Sequence, residues 1–239
     1  MSANELLAGR TALVTGASRG IGRAVAVTLA TQGARVRALA RGADALNELS
    51  REHGIEPVVV DLGDDTDIWC VLDEMREQDG GPPDIIVNSA GVFGIESLAG
   101  ETVDSFDAHL AINLRAPFLV IRSLLPAMLE RGSGLIVNIG SVAGRKAFPG
   151  NAAYSASKFG LRGLHEVLVE EVRGTGVRAS LVEPAATDTS LWDALDPDAD
   201  PGLPNRAAML TPSDVAAAVL FVATRPPGVT IPRLSVERG

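Results

Sequence analysis

Short apolar stretches alternate with longer amphipathic stretches along most of the 239-residue chain. The short stretches are rich in β-branched residues and end at glycine or polar positions, which is typical of buried strands. The longer ones repeat apolar residues at helical spacing, as in Val25 and Leu29, which predicts amphipathic helices. Strands are predicted at 11–15, 34–40, 57–60, 84–87, 135–137, 177–182 and 229–236. Helices are predicted after Gly22, at 43–53, 65–78, 103–129 and 212–223, and around Tyr154 and Lys158.

This repeated strand and helix order predicts a parallel sheet, because a strand that is followed by a helix returns in the same direction. No linker or change in composition marks a boundary. The prediction is therefore one α/β domain over 1–239, a doubly wound parallel sheet of about seven strands with helices on both faces. In this Rossmann-like, three-layer α/β/α arrangement, ligands bind beyond the carboxyl ends of the strands.

Composition and charge exclude several classes of function. Hydrophobic residues make up 46% of the chain, which favours a large core and argues against disorder. The net charge of −9, with no basic cluster to offset it, argues against nucleic acid as a partner. A single cysteine, Cys70, and three dispersed histidines leave no metal set. The first ten residues do not look like a signal peptide and no apolar run reaches ~18 residues, so we expect a cytoplasmic protein without a membrane partner.

The only tyrosine, Tyr154, stands four positions before Lys158, one of two lysines. On a helix the two side chains share a face. An adjacent ammonium favours the phenolate and lowers the pKa of a tyrosine, so the pair is predicted to act as an acid/base catalyst. The alternative is a core tyrosine beside a solvated lysine.

A second group of candidates lies after the predicted strands. Gly16, Gly20 and Gly22 follow the first strand and precede a helix, where free backbone amides bind phosphate groups. Alone, such a turn also occurs as a simple strand-to-helix connection. Asp61, Asn88, Ser141 and Pro184 follow later strands, so we expect one crevice.

Together these segments resemble the short-chain dehydrogenase/reductase family from Gly9 to about Val236. The glycine turn matches T-G-x-x-x-G-x-G, 88–91 resembles N-N-A-G with Ser89 in place of the second asparagine, and 184–189 resembles P-G-x-x-x-T with Ala185 in place of glycine. The cofactor contacts that the resemblance implies are Gly16, Ser18, Arg19, Gly20, Ile21, Gly22, Arg41, Asp61, Leu62, Asn88, Ala90, Gly91, Tyr154, Lys158, Pro184, Ala185, Thr187 and Thr189.

The resemblance also implies a catalytic tetrad of Asn113, Ser141, Tyr154 and Lys158. Tyr154 would exchange a proton with a carbonyl or alcohol oxygen while a nicotinamide exchanges hydride with the carbon. Ser141 would hold that oxygen, Lys158 would also hold the nicotinamide ribose, and Asn113 would position a water that leads to solvent. The resemblance therefore implies a small carbonyl or alcohol substrate. By analogy with the family it also implies a homodimer or homotetramer.

The cofactor is predicted to be NADP(H), with NAD(H) as the alternative. NAD-specific relatives carry aspartate where this chain has Ala40, and Arg41 and Arg19 could hold a 2′-phosphate. A non-catalytic dinucleotide-binding redox sensor is the alternative from another class, although such a protein has no use for the tetrad.

An apolar substrate pocket is predicted, covered by a mobile, aspartate-rich loop at about 186–211. Its predicted lining is Phe93, Val142, Phe148, Leu191 and Trp192. Arg145 could meet a substrate carboxylate, but a surface arginine is the commoner case. His109 and His165 are interpreted as packed helical residues. The C-terminal stretch after Arg225 resembles the branch with NADP-dependent reductases of 3-hydroxy acids and serine-like alcohols.

Overall fold

The computed structural model describes residues 5–79 and 81–239 and contains one sheet of seven parallel strands. The strands are β1 (Thr11–Thr15), β2 (Arg35–Ala40), β3 (Glu56–Val59), β4 (Ile85–Asn88), β5 (Gly134–Ile139), β6 (Val177–Pro184) and β7 (Arg233–Val236). The helices are α1 (Gly20–Thr31), α2 (Ala43–His53), α3 (Asp65–Asp79), α4 (Val103–Leu110), α5 (Ala116–Arg131), α6 (Ala152–Glu171) and α7 (Pro212–Ala223). The predicted fold class is confirmed.

The strand order is β3-β2-β1-β4-β5-β6-β7, so the chain winds outward in one direction from β1 and then in the other from β4. The central strands are buried along their whole length, as parallel strands covered on both faces must be. One core joins the sheet to α1, α2 and α7 through residues such as Leu29 and Val219, and a second joins it to α3, α5 and α6 through residues such as Leu72 and Met128. The reversal between β1 and β4 creates a crevice at the carboxyl ends of the strands.

The last strand is shorter than predicted, because it begins at Arg233 rather than near Val229. Pro232 has no N–H for a sheet ladder, and its carbonyl accepts hydrogen bonds from the amide of Leu181 and from Nε2 of His165. The pairing of β6 with β7 therefore starts one residue later, at Leu181 and Arg233.

The predicted helix at 103–129 is interrupted by a π turn at Ala111–Arg115, between α4 and α5. Pro117 lacks the N–H that an α-helix would donate to the carbonyl four residues earlier, which is that of Asn113. The Ala116 amide instead donates to the Ala111 carbonyl, five residues back. By length and composition alone Val103–Arg131 could cross a membrane, which the sequence analysis did not anticipate, but half of its most apolar window is buried inside the protein, as in a core helix.

Candidate active site

A groove of about 960 Å³ runs along the carboxyl ends of β1, β2 and β3. At two of its glycines the neighbouring backbone leaves no room for a side chain. A Cβ on Gly16 would lie 2.6 Å from the Cα of Ala90, and a Cβ on Gly22 would lie 2.3 Å from the Gly16 carbonyl oxygen. Gly16 also has a φ of 68°, which a residue with a side chain rarely adopts. The glycine turn therefore brings bare backbone to the floor of the groove.

Helix α1 begins in this groove with its first amides unpaired. Its N-cap residue, Arg19, makes no side-chain cap, and its first turn contains no acidic residue. Unsatisfied N–H groups and the positive end of the helix dipole suit a phosphate group. Arg19 and Arg41 line the same groove, and their side chains make no hydrogen bond or ion pair with the described residues, so both guanidinium groups are available to an anion.

Most of the predicted cofactor residues line this groove or the pocket that adjoins it. The groove is lined by Gly16, Ser18, Arg19, Gly20, Ile21, Gly22, Arg41, Asp61, Leu62, Ala90, Gly91 and Thr189. The adjoining pocket is lined by Tyr154, Lys158, Pro184, Ala185, Thr187 and, again, Thr189. Asn88 lines neither cavity, because its side chain is buried in the sheet and donates to Asn138 Oδ1 at 2.9 Å. These residues fit a bound dinucleotide along the groove.

Ser141, Tyr154 and Lys158 line the adjoining pocket, which has a volume of about 390 Å³. Ser141 caps the short helical turn after β5, and its hydroxyl accepts a hydrogen bond from the Ala143 amide. Tyr154 and Lys158 stand one turn apart on α6, with the Lys158 ammonium 5.7 Å from the centre of the Tyr154 ring. The structure thus brings three of the four tetrad candidates into one pocket.

Burial dominates the protonation of this pair. The Tyr154 phenol is surrounded by protein although the residue keeps some exposed surface, and burial raises its pKa while a hydrogen bond with Ser141 acts in the opposite direction. Burial lowers the pKa of Lys158 to about 8. The net change in the Tyr154 pKa is upward, against the predicted lowering by Lys158, because burial is the largest effect. The Lys158 ammonium donates to the Ile139 carbonyl at 2.9 Å.

Asn113 is fully buried in the π turn and lies outside the pocket lining. Its side-chain oxygen accepts from the Val92 amide at 2.8 Å, and its side-chain nitrogen donates to the Val92 carbonyl and to Ser157 Oγ. Ser157 Oγ in turn donates to the Tyr154 carbonyl. Asn113 therefore links the loop after β4 to the helix that carries Tyr154.

All five predicted pocket residues line the cavity, and two of them form an aromatic wall beside Tyr154. The Phe93 ring lies 4.8 Å from the Tyr154 ring and 4.8 Å from the Trp192 ring, centre to centre. Trp192 is held by a hydrogen bond from its indole nitrogen to the Thr187 carbonyl. The other three residues, Val142, Phe148 and Leu191, complete the predicted apolar lining.

The covering loop contains more regular structure and more internal contacts than its aspartate content suggested. It contains short 3₁₀ turns at Ser190–Leu195 and Arg206–Ala208. The Arg206 guanidinium forms ion pairs with Asp188 and Asp193, and its backbone amide donates to Asp198. Ala185 has no positive φ, so alanine fits the position where the family pattern has glycine.

Sequence reasoning missed the role of Thr15 and Ser157. Thr15 Oγ1 accepts hydrogen bonds from the amides of Ser89 and Ala90, which fixes the loop after β4 against β1. Its position directly before Gly16 was the available signal. Ser157 carried no comparable signal, because its link to Asn113 depends on how α6 packs on the π turn.

Comparisons with known proteins find relatives over most of the chain. A family profile described as short chain dehydrogenase matches residues 10–200. D-threitol dehydrogenase of Mycolicibacterium smegmatis is 38% identical over 227 residues, which cover 91% of this chain and 87% of that protein. Glycine betaine reductase ATRR of Emericella nidulans is 38% identical over 97% of this chain, which spans only 19% of that relative. A metagenomic short-chain oxidoreductase solved in complex with NADP is 34% identical, with a TM-score of 0.84 over 98% of this chain and 99% of that one.

Proposed function

The chain belongs to the short-chain dehydrogenase/reductase family, and on that premise we propose that it is an NADP(H)-dependent carbonyl reductase or alcohol dehydrogenase. The observation that carries this proposal is the pocket in which Ser141, Tyr154 and Lys158 meet, directly beside the glycine-floored groove. The nicotinamide would supply or take up a hydride at the substrate carbon. The protein's part is to hold the oxygen and to move the proton.

Tyr154 is proposed as the group that moves the proton. A raised pKa keeps the phenol protonated at neutral pH, so Tyr154 can donate to a carbonyl oxygen as that oxygen gains charge. Ser141 would donate a hydrogen bond to the same oxygen. Lys158 would help to return a proton to Tyr154 and would hold the cofactor ribose. Reduction should therefore slow as the pH rises through the Tyr154 pKa, while alcohol oxidation, which needs the phenolate, should speed up.

A Tyr154→Phe variant tests the mechanism. It keeps the aromatic contact with Phe93 but has no proton to give, so kcat for ketone reduction should fall at least ~10²-fold while NADPH binding is unchanged. The assay is loss of NADPH absorbance with a panel of ketones, and binding is measured by calorimetry. Turnover that survives in the variant would contradict the proton-transfer role. Binding of NADPH without turnover of any ketone by the wild type would favour the redox sensor.

NADP(H) is proposed as the preferred cofactor because Ala40 ends β2 without a charge and the guanidinium groups of Arg41 and Arg19 have no partner among the residues that the structure describes. Charge-assisted bonds from these guanidinium groups to a 2′-phosphate should contribute ~2 kcal/mol, or ~30-fold in kcat/KM. Arg41→Asp should abolish the preference, whereas Arg51→Asp, on the exposed end of α2, should not. A wild-type kcat/KM for NADH equal to that for NADPH would refute the assignment.

We also propose that the protein is a homodimer or homotetramer. Large apolar side chains are exposed on α4, α5 and α6, among them Phe106, Phe118 and Phe159. Such patches mark association surfaces. Light scattering gives the mass directly, and a monomer at assay concentration would refute the proposal.

A further inference from the structure

Within the described part of the chain, the substrate pocket has no charged lining residue away from the reacting centre. Among the described residues that line it, the ionisable ones are Tyr154 and Lys158, and both belong to the proposed catalytic group. Lys158 already donates to the Ile139 carbonyl. The remaining lining consists of apolar side chains, backbone, and neutral polar groups such as Asn151 and Thr187.

The cations nearest in sequence to the pocket lining are engaged elsewhere or lie outside it. Arg145 forms an ion pair with Glu237 and does not line the pocket. Lys146 is exposed, with its ammonium 5.3 Å from the ring centre of Phe148. The Arg206 guanidinium is taken by Asp188 and by Asp193, the latter at 2.7 Å.

The segment that closes over the pocket is acidic. Gly202, Leu203 and Pro204 line the pocket, and they follow a stretch that contains Asp196, Asp198 and Asp200. Together with Asp188 and Asp193 these carboxylates outnumber the one arginine of the segment, Arg206. An anionic ligand would therefore pass an acidic segment and enter an apolar interior, where an unpaired charge is strongly disfavoured.

From this arrangement we infer that the substrate is an uncharged carbonyl compound or alcohol with an apolar substituent, and that the site excludes carboxylates. The inference rests on the proposed function and narrows its substrate class. The apolar substituent lies against Phe93 and Trp192, whose rings form the wall beside Tyr154. This assignment is opposite to the one suggested by the resemblance of the C-terminal stretch to reductases of 3-hydroxy acids.

An ethyl ester and its free carboxylate, which share one reacting ketone, test the inference. Ethyl 3-oxobutanoate and 3-oxobutanoate share the same ketone, but only the second is an anion at pH 7. With saturating NADPH we expect a kcat/KM for the ester at least ~30-fold above that for the acid, a factor that corresponds to ~2 kcal/mol. A ratio below tenfold overturns the inference.

The same pair is measured by calorimetry on protein saturated with NADP⁺, where no reduction occurs. This measurement separates the two proposals. A protein that reduces neither compound with NADPH contradicts the proposed function, but the ratio of its affinities for the ester and the acid still tests the inference. Tighter binding of the ester supports the inference. Equal binding of the two compounds, or tighter binding of the acid, overturns it.

Phe148 offers a matched pair of variants, since it lines the mouth of the pocket and is partly exposed. Phe148→Arg supplies a cation, so the ester-to-acid ratio should fall at least tenfold. Phe148→Gln removes the same ring without adding a charge, so the ratio should stay within threefold of the wild type. An equal fall in both variants would show that the ring, rather than the missing cation, sets the selectivity.

Discussion

Replacing Lys158 with methionine should make the cofactor-free protein more stable at neutral pH while removing its activity. Lys158 is 5% exposed, and burial lowers its pKa from 10.5 to about 8. At about 1.4 kcal/mol per unit, a shift of this size means that the charged form costs the folded state ~3 kcal/mol. Methionine has a similar length and no charge, so it removes this cost.

Part of the gain is lost because the Ile139 carbonyl no longer receives a hydrogen bond from the Lys158 ammonium. A buried carbonyl without its donor costs ~1–2 kcal/mol. The net expectation is an increase of ~1–2 kcal/mol in the free energy of unfolding at pH 7. For a chain of this size that corresponds to a rise in Tm of about 2–8 °C.

The pH dependence carries the sharper test. Between about pH 8 and 10.5 the folded protein loses the Lys158 proton while the unfolded chain keeps it, so this residue makes the wild type more stable as the pH rises. The advantage of Lys158→Met should therefore be nearly complete at pH 7 and fall by ~2 kcal/mol between pH 7 and pH 9.5, which removes or reverses it.

The assay is urea unfolding of wild type, Lys158→Met and Lys146→Met at one protein concentration, without cofactor. Lys146 is exposed, so its variant should match the wild type at both pH values. A Lys158→Met protein that is less stable at pH 7, or whose advantage is the same at pH 9.5, would refute the argument that burial of this ammonium destabilises the fold.

Three further variants test other contacts. Gly16→Ala should lower the free energy of unfolding by ~1–3 kcal/mol in urea titrations, because its φ is positive and the added Cβ meets the loop after β4. Trp192→Ala should lower kcat/KM for ethyl 3-oxobutanoate at least tenfold while its pH profile stays in place, since the aromatic wall is lost and the proton donor is not; a displaced profile would contradict this. Arg206→Gln should speed hydrogen exchange in residues 186–211 while the urea midpoint of global unfolding stays close to that of the wild type, because partly exposed ion pairs contribute little to stability. Unchanged exchange would show that the ion pairs do not order the loop.

The parallel sheet could be predicted because its signals are local. Apolar β-branched runs and helical spacing are set by residues a few positions apart, and each predicted strand is present, within four residues at either end. Strand β7 is shorter than predicted, and its start depends on the hydrogen bond from the Leu181 amide on β6 to the Pro232 carbonyl. That contact joins residues 51 positions apart in the numbering, which no local pattern reports.

The π turn at Ala111–Arg115 escaped prediction for a related reason. Proline is tolerated at the start of a helix. Pro117 is therefore compatible both with a new helix and with an interruption of a continuous one. Only the packed structure shows that Asn113 is held by the Val92 backbone and by Ser157, which fixes the turn in place. Asn113 was predicted as a site residue, but its contacts arise from tertiary packing.

The protonation of the Tyr154 and Lys158 pair shows why spacing alone gives an incomplete account of chemistry. Four residues apart on a helix, an ammonium should lower the pKa of a phenol, yet in the folded protein burial raises the pKa of Tyr154 and lowers that of Lys158. Desolvation acts on both groups in the direction that favours their neutral forms, and it grows with burial, which a sequence does not specify. A neutral phenol is a proton donor, so the same burial that costs the fold stability at Lys158 keeps Tyr154 ready to protonate a carbonyl oxygen. Function and stability therefore oppose each other on one turn of α6, and the Lys158→Met variant separates them.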